Sequence, residues 1–499
     1  MCNCMKRILP VLLFVLLAPS LKAFDVRAVY VDHRTQVQTL PALKAFAKKA
    51  ADGGMNALVM EWEATFPFEE NATLRNRFAF SREEAVEFIS YCSGIGIEVI
   101  PLQNCFGHSE YILRHDRYAS LREDKTDLSQ VCPLKANEAE AVFRSIFAEI
   151  AALHPSRYLH IGCDETRLLG HCKRCAAAVE EYGKSKLFVD YVARMCAIVK
   201  ELGKTPVIWA DILLQHPEAA DALPKDVVVV DWNYGWKPTH FGDIDALLSK
   251  GFTMWGASAM RSGPDNIFLT DWPKHFANLR DYIPFCREKG FRGIIQTSWS
   301  TSGQFGYIVD HCSVIDIQPI REVYPVQAFD ILLEAFFEAV RSDAPLPESF
   351  EKDFIKGYFG LRDADAERLA AYFAMPQNTV VGVRFKPDAI EKELSAAREA
   401  RTLLSSVHPR HGRAAYSHLK LMADIRLNYL QFKALEYKFE SPEPDLEELA
   451  PALKPLVREG RRLRRRFVHL NGKALKDPSI PLGPHSYIQR MNDLYKTCK

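Results

Sequence analysis

The stretch Arg157–Gly170, RYLHIGCDETRLLG, sets an apolar run directly before two adjacent acids. The run Tyr158-Leu159-His160-Ile161-Gly162-Cys163 reads as a strand buried on both faces, with Asp164 and Glu165 at its end. Charges in such a place are costly unless they are paired or used. Seven further runs of this kind occur along the chain: VRAVYVD from Val26, ALVMEW from Ala57, IEVIPLQ from Ile97, TPVIWADI from Thr205, DVVVVDWNY from Asp226, FTMWGASAM from Phe252 and FRGIIQTSWS from Phe291. Between them lie stretches of helical periodicity such as Leu40–Gly53, Ser81–Gly94 and Lys184–Gly203, several ending in glycine. Eight β/α units in succession predict a (β/α)8 TIM barrel rather than an open sheet.

After Pro345 only helical spacing remains, as in Asp365–Ala374 (DAERLAAYFA) and His418–Phe439 (HLKLMADIRLNYLQFKALEYKF). The expected organisation is therefore a barrel over residues 24–345 and a C-terminal all-α domain over 346–499. Ser441–Asp445 (SPEPD) reads as a turn between two of its helices.

The 499 residues are 48% apolar and 25% charged, as in soluble globular proteins. The formal net charge of +1 gives no overall field that would attract nucleic acid. The basic run Arg458–Phe467 reads as a solvated helix face. At the N-terminus, Lys6 and Arg7 precede the apolar run Ile8–Leu21, and a cut after Ala23 completes a signal peptide over residues 1–23. The expectation is an exported chain, periplasmic or secreted, without stable membrane insertion once the leader is gone. Of twelve cysteines, Cys2 and Cys4 lie in the leader and the other ten show no compact disulfide spacing. His171–Cys175 (HCKRC) contains one CxxC, but no second half at similar spacing is visible, so free thiols or one local disulfide are expected there rather than zinc.

In a barrel of this class the chemistry sits at the C-terminal ends of the strands. Those ends carry Asp32, His33 and Arg34; Glu61, Trp62 and Glu63; Gln103, Asn104, His108 and Glu110; Asp164 and Glu165; Trp209 and Asp211; Trp232, Tyr234 and Trp236; Trp255; and Trp299. Six of the seven tryptophans fall in or just after the strand runs, and aromatic walls with polar groups between them suit a sugar.

HIGCDE, His160–Glu165, resembles the His-x-Gly-x-Asp-Glu signature of family 20 glycoside hydrolases, the β-N-acetylhexosaminidases. Leu58–Glu69, Ile100–Leu113, Val131–Glu138 and Trp232–Tyr234 resemble further elements of the compact branch of that family, which begins directly with its barrel. The resemblance covers residues 25 to 340 and implies exo-acting, retaining hydrolysis in which the substrate's acetamido oxygen attacks the anomeric carbon. It implies Glu165 as general acid, Asp164 as the group that orients the acetamide, and Tyr234 as donor to the acetamido oxygen. The acid role calls for a pKa raised toward neutrality. Trp209, Trp232 and Trp299 are the implied pocket walls; Arg27, Asp32 and Glu61 are candidates for the sugar hydroxyls, and His108 for a network supporting the acid. Where many members carry a carboxylate after the last-strand tryptophan, Ser300 and Thr301 follow Trp299, and the resemblance implies no metal and no organic cofactor. Two other readings stay open: a retaining barrel glycosidase with Glu61 or Asp211 as nucleophile, and an inactive glycan-binding protein on the same fold.

Overall fold

A computed structural model describes residues 24–34, 37–262, 270–299, 326–342, 344, 346–376, 387–477 and 486–499. The leader run Ile8–Leu21 and the pair Ser300 and Thr301 lie outside the described residues. Eight strands form a closed parallel barrel in sequence order: β1 (Val26–Asp32), β2 (Ala57–Glu61), β3 (Glu98–Leu102), β4 (Tyr158–His160), β5 (Thr205–Trp209), β6 (Val228–Trp232), β7 (Thr253–Arg261) and β8 (Gly293–Ser298). The eight apolar runs correspond to these eight strands. They are apolar throughout because one set of alternate residues fills the barrel and the other packs under the helices. In β1, Val26, Ala28 and Tyr30 belong to the inner cluster, whereas Val29 and Val31 belong to the outer one.

That alternation decides what reaches the open end. The inner set continues through Ala57 and Val59 of β2, Ile100 and Leu102 of β3, Val207 and Trp209 of β5, and Val228 and Val230 of β6. Its members fill the barrel up to Trp209 at the rim, so polar chemistry is confined to the strand ends and the loops that follow them.

The helices follow from local signals. Thr39 caps Leu40–Asp52 by accepting from the Ala42 N–H, and Ser81 with Glu84 forms a capping box on Arg82–Gly94. The helix after β4 runs from Lys173 to Glu201, with an extended left-handed break at Gly183 (φ 85°). The helical pattern from Lys184 thus captured only its second half.

Among the described residues only helices follow β8, apart from an isolated bridge at Leu475: Asp330–Arg341, Phe350–Phe359, Asp363–Phe373, Pro387–Ser406, Arg413–Phe439, Leu446–Asn471 and Tyr487–Thr497. In Leu446–Asn471, Leu449, Leu453, Val457, Leu463 and Phe467 are buried while Arg458, Arg461, Arg464 and Arg465 face solvent, so the basic run is a solvated face. The region returns to the barrel at Leu475, which bridges Gln38, and at Lys476, whose ammonium lies 3.7 Å from the Phe80 ring centroid. Among the described residues no helix is long and apolar enough to cross a membrane.

Candidate active site

The two adjacent acids are made useful by the turn that holds them. In an ordinary strand, neighbours point to opposite faces. Here Gly162 (φ 72°), Cys163 (φ 76°) and Glu165 (φ 46°) all adopt left-handed backbone, and both Asp164 and Glu165 line one cleft. Three such residues in four is a costly conformation, found where function holds it in place. The surroundings brace it. A Cβ on Gly162 would stand 2.0 Å from Oδ1 of Asn104, and one on Gly107 would stand 2.2 Å from the Asp164 carbonyl oxygen. The Glu165 N–H donates to Oδ2 of Asp211 at 3.0 Å.

The cleft has a volume of about 260 Å³ and opens at the C-terminal end of the barrel. Trp209, Trp232 and Trp299 wall it; the Trp209 and Trp299 rings meet edge to face with centroids 5.7 Å apart. Trp299 Nε1 donates to the Tyr234 hydroxyl at 2.7 Å, and Tyr234 lies 5.1 Å from the Trp232 ring. His108 Nε2 sits 3.4 Å from both Asp164 Oδ2 and Glu165 Oε2. Asp164 Oδ1 is buried, and among the described residues no donor reaches it. An acceptor left in this state calls for a donor from outside the chain.

The electrostatics depart from expectation at Glu165. Burial pushes its carboxyl up, but the hydrogen bond and charge of His108, then those of Arg167, outweigh burial and bring it down to about 2. Arg167 Nη2 reaches Glu165 Oε1 at 2.6 Å. The expected rise toward neutrality is therefore absent, because the chain supplies two cationic neighbours to this carboxyl. Burial lowers the pKa of His108, yet the charge of Asp164 and hydrogen bonds to both acids raise it well above the usual imidazole value. Burial raises the Tyr234 phenol, which keeps its proton available to donate.

The structure does not bring Arg27 to the cleft. Arg27 is the second residue of β1, at the opposite end of the barrel, and falls on the outward alternation. Its Nε donates to the Gly54 carbonyl at 2.9 Å and its Nη1 to the Phe24 carbonyl at 2.8 Å. Arg34, just past β1, lines the cleft instead, with its guanidinium 5.5 Å from the Trp299 ring centroid. Asp32 grips Arg34 through two oxygens at 3.2 and 3.1 Å, and Glu61 Oε2 lies 3.2 Å from Arg34 Nε. Asp32 and Glu61 thus sit behind the arginine. Glu61 also accepts from the Tyr30 hydroxyl, and its Oε1 accepts from Asn104 Nδ2 at 2.6 Å. Burial pushes Glu61 up to about 7; burial and then the charge of Asp164 push Asp211 to about 7.

Two strand-end tryptophans are packing residues. Trp62 is fully buried and donates to His154 Nε2 at 3.0 Å, and Trp255 stacks edge-on against Tyr158 inside the barrel. Arg34 and Trp236, which the sequence placed at strand ends without a role, line the cleft, and Arg167, absent from the sequence expectations, adjoins it. Arg34 carried a signal, its place just past the first strand; Arg167 carried none.

The profile of the "Glycosyl hydrolase family 20, catalytic domain" matches residues 32–254. Hexosaminidase D of Bos taurus is 30% identical over 277 residues, which span 52% of this chain and 79% of that protein. Hexosaminidase D of Homo sapiens is 31% identical over 316 residues, spanning 58% of this chain and 62% of that protein. A β-N-acetylhexosaminidase structure from Bacteroides fragilis superposes with a TM-score of 0.51 at 18% identity, over 72% of both chains. A chitobiase structure from Flavobacterium johnsoniae superposes with a TM-score of 0.53 at 14% identity, over 95% of this chain and 71% of that one. At these identities the structural likeness concerns the fold alone.

Proposed function

This chain belongs to glycosyl hydrolase family 20, and on that premise we propose that it is an exo-acting β-N-acetylhexosaminidase working by substrate-assisted retention. The observation that carries the reading is the unpartnered Oδ1 of Asp164, buried beside the acid Glu165 in a tryptophan-walled cleft. An acetamide N–H is a donor of the kind that atom lacks. In the first step the acetamido oxygen bonds to the anomeric carbon, the glycosidic bond breaks, and Glu165 gives its proton to the departing oxygen. Asp164 holds the N–H and balances the positive charge of the oxazolinium ion, while Tyr234 donates to the acetamido oxygen. Glu165, now a carboxylate, takes a proton from water as that water attacks the anomeric carbon and reopens the ring. Arg34 offers N–H groups to the sugar's hydroxyls. Exo action is carried over from the family resemblance.

A carboxylate nucleophile finds less support. Both oxygens of Glu61 are engaged, by Asn104, Tyr30 and Arg34, and one oxygen of Asp211 holds the Glu165 N–H. The deciding experiment compares an aryl β-N-acetylglucosaminide with the aryl β-glucoside. Turnover of the first alone, with strong inhibition by a thiazoline mimic of the intermediate, is expected. A glycosyl-enzyme trapped on Glu61 or Asp211 by a 2-fluoro sugar would overturn the mechanism; no turnover of any aryl hexosaminide would favour a binding protein.

Export is part of the same reading, carried by Lys6, Arg7 and the apolar run that follows. Mass spectrometry of the mature protein is expected to find Phe24 first, and a retained Ile8–Leu21 would reject it.

A further inference from the structure

We propose that Glu123, Cys132, Cys172 and Cys175 form a structural zinc site that clasps the loops following β3 and β4. One ligand atom from each of these residues lies within 4.8 Å of all the others. The Cys132 and Cys175 sulfurs are 3.6 Å apart, and the Cys175 sulfur is 3.3 Å from Glu123 Oε2. A tetrahedral zinc with bonds of about 2.3 Å to sulfur sets sulfur–sulfur edges near 3.8 Å, so small movements suffice to close the shell. Three thiolates and one carboxylate in a tetrahedron select zinc over magnesium or calcium.

The backbone is arranged for this. Arg122 and Val131 form an antiparallel bridge, and the Cys132 N–H donates to the Leu121 carbonyl at 2.7 Å, so a small hairpin brings Glu123 and Cys132 together. Cys172 caps the helix Lys173–Glu201, and its sulfur accepts the Cys175 N–H at 3.4 Å. Glu123 Oε1 accepts the Cys172 N–H at 2.8 Å, leaving Oε2 turned to the thiols. Glu123 is 4% exposed, and among the described residues no lysine or arginine forms an ion pair with it. A buried carboxylate beside three thiols is the setting in which a metal cation supplies the missing charge. The second half that a zinc site requires thus comes from a preceding loop rather than from a second CxxC.

The position says what the metal would do. Thr166 to His171 is the segment between Glu165 and the tetrad, and the Leu168 N–H donates to Gln130 Oε1 at 2.8 Å. On the other loop the Ser109 N–H donates to the Ser129 carbonyl at 2.9 Å, beside His108. The metal would hold the loop carrying the acid against the loop carrying its histidine.

The test uses the full-length protein, purified without chelator, and does not depend on the glycosidase reading. Elemental analysis is expected to find about one zinc per chain. Replacement by Co2+ is expected to give the visible bands of a tetrahedral thiolate site. Cys175→Ser should lose the metal and the bands, while Cys498→Ser, far along the chain, should keep both. If Cys175→Ser fails to fold, Glu123→Gln and the wild-type stoichiometry decide. Metal-free wild-type protein that takes up no zinc or Co2+, a Cys132–Cys175 disulfide in the purified protein, or unchanged metal content in a folded Cys175→Ser variant would each overturn the assignment.

Discussion

Arg167 holds Oε1 of Glu165 at 2.6 Å from a side chain that is 77% exposed, so the second of the two cations that keep this carboxyl ionised, after His108, is itself loosely held. A general acid must carry its proton when the substrate's bond breaks. On the proposed mechanism the carboxyl must therefore be freed from these cations when substrate binds, and the exposed ion pair with Arg167 costs little to open.

Arg167→Ala removes a positive neighbour and raises the Glu165 pKa. The basic limb of the kcat/KM profile, where activity falls as the acid loses its proton, is expected to move to higher pH. Rate measurements across the pH range check this, and a limb that stays in place or moves down would contradict it.

Asp164→Asn keeps the shape of the side chain but removes the charge that, on the proposed mechanism, balances the developing cation. One preorganised electrostatic contact of this kind is worth about 2.7–4 kcal/mol, a loss of roughly 10²–10³ in kcat. Thiazoline inhibition should weaken in parallel. Circular dichroism establishes that the fold is retained, and steady-state kinetics with inhibitor titration supply the rest.

Arg34→Met leaves Asp32 and Glu61, each with a nearly inaccessible side chain, without the guanidinium they share. Breaking a buried pair from one side costs about 3–5 kcal/mol, so a marked fall in denaturation midpoint is expected together with a higher KM. Arg34→Lys keeps the charge but not the fork. It should recover more stability than substrate affinity, which chemical denaturation and kinetics separate.

Asp231 provides a pH test away from the cleft. It accepts from the Tyr282 hydroxyl at 2.6 Å, and burial lifts its pKa from 3.8 to about 7 against the opposing effect of that hydrogen bond. The folded state then holds a proton that the unfolded chain has already released. Stability should fall as pH rises from 3.8 to about 7, by up to about 1.4 kcal/mol per pH unit. Asp231→Asn is expected to flatten that slope in urea titrations run at several pH values.

The barrel was legible because its strands are buried on both faces and cannot alternate: Val228, Val229 and Val230 are apolar for two different reasons, one inside and one outside. The acids were legible because His160–Glu165 is a local signature. Arg27 was misplaced because strand membership alone does not give depth or face, whereas counting from Tyr30 in steps of two leads to Asp32 and away from Arg27. Trp62, placed at a strand end but given no role, stands one residue beyond the inward row that ends at Glu61 and is buried. The ionisation of Glu165 depends on Arg167 and on His108, a contact made across two loops. Glu123 and Cys132 likewise meet the CxxC through a hairpin rather than through spacing.

The turn from Gly162 to Glu165 has a mechanical consequence. When two working groups stand on different strands, their separation follows the packing of the sheet and drifts whenever the barrel breathes. Asp164 and Glu165 are consecutive residues, so bond lengths and a braced backbone set the spacing of their Cα atoms. The gauge between the two carboxylates, the proton donor and the acetamide holder of the proposed mechanism, is thus covalent. Thermal motion of the eight staves can widen or narrow the mouth of the cleft while that gauge stays the same.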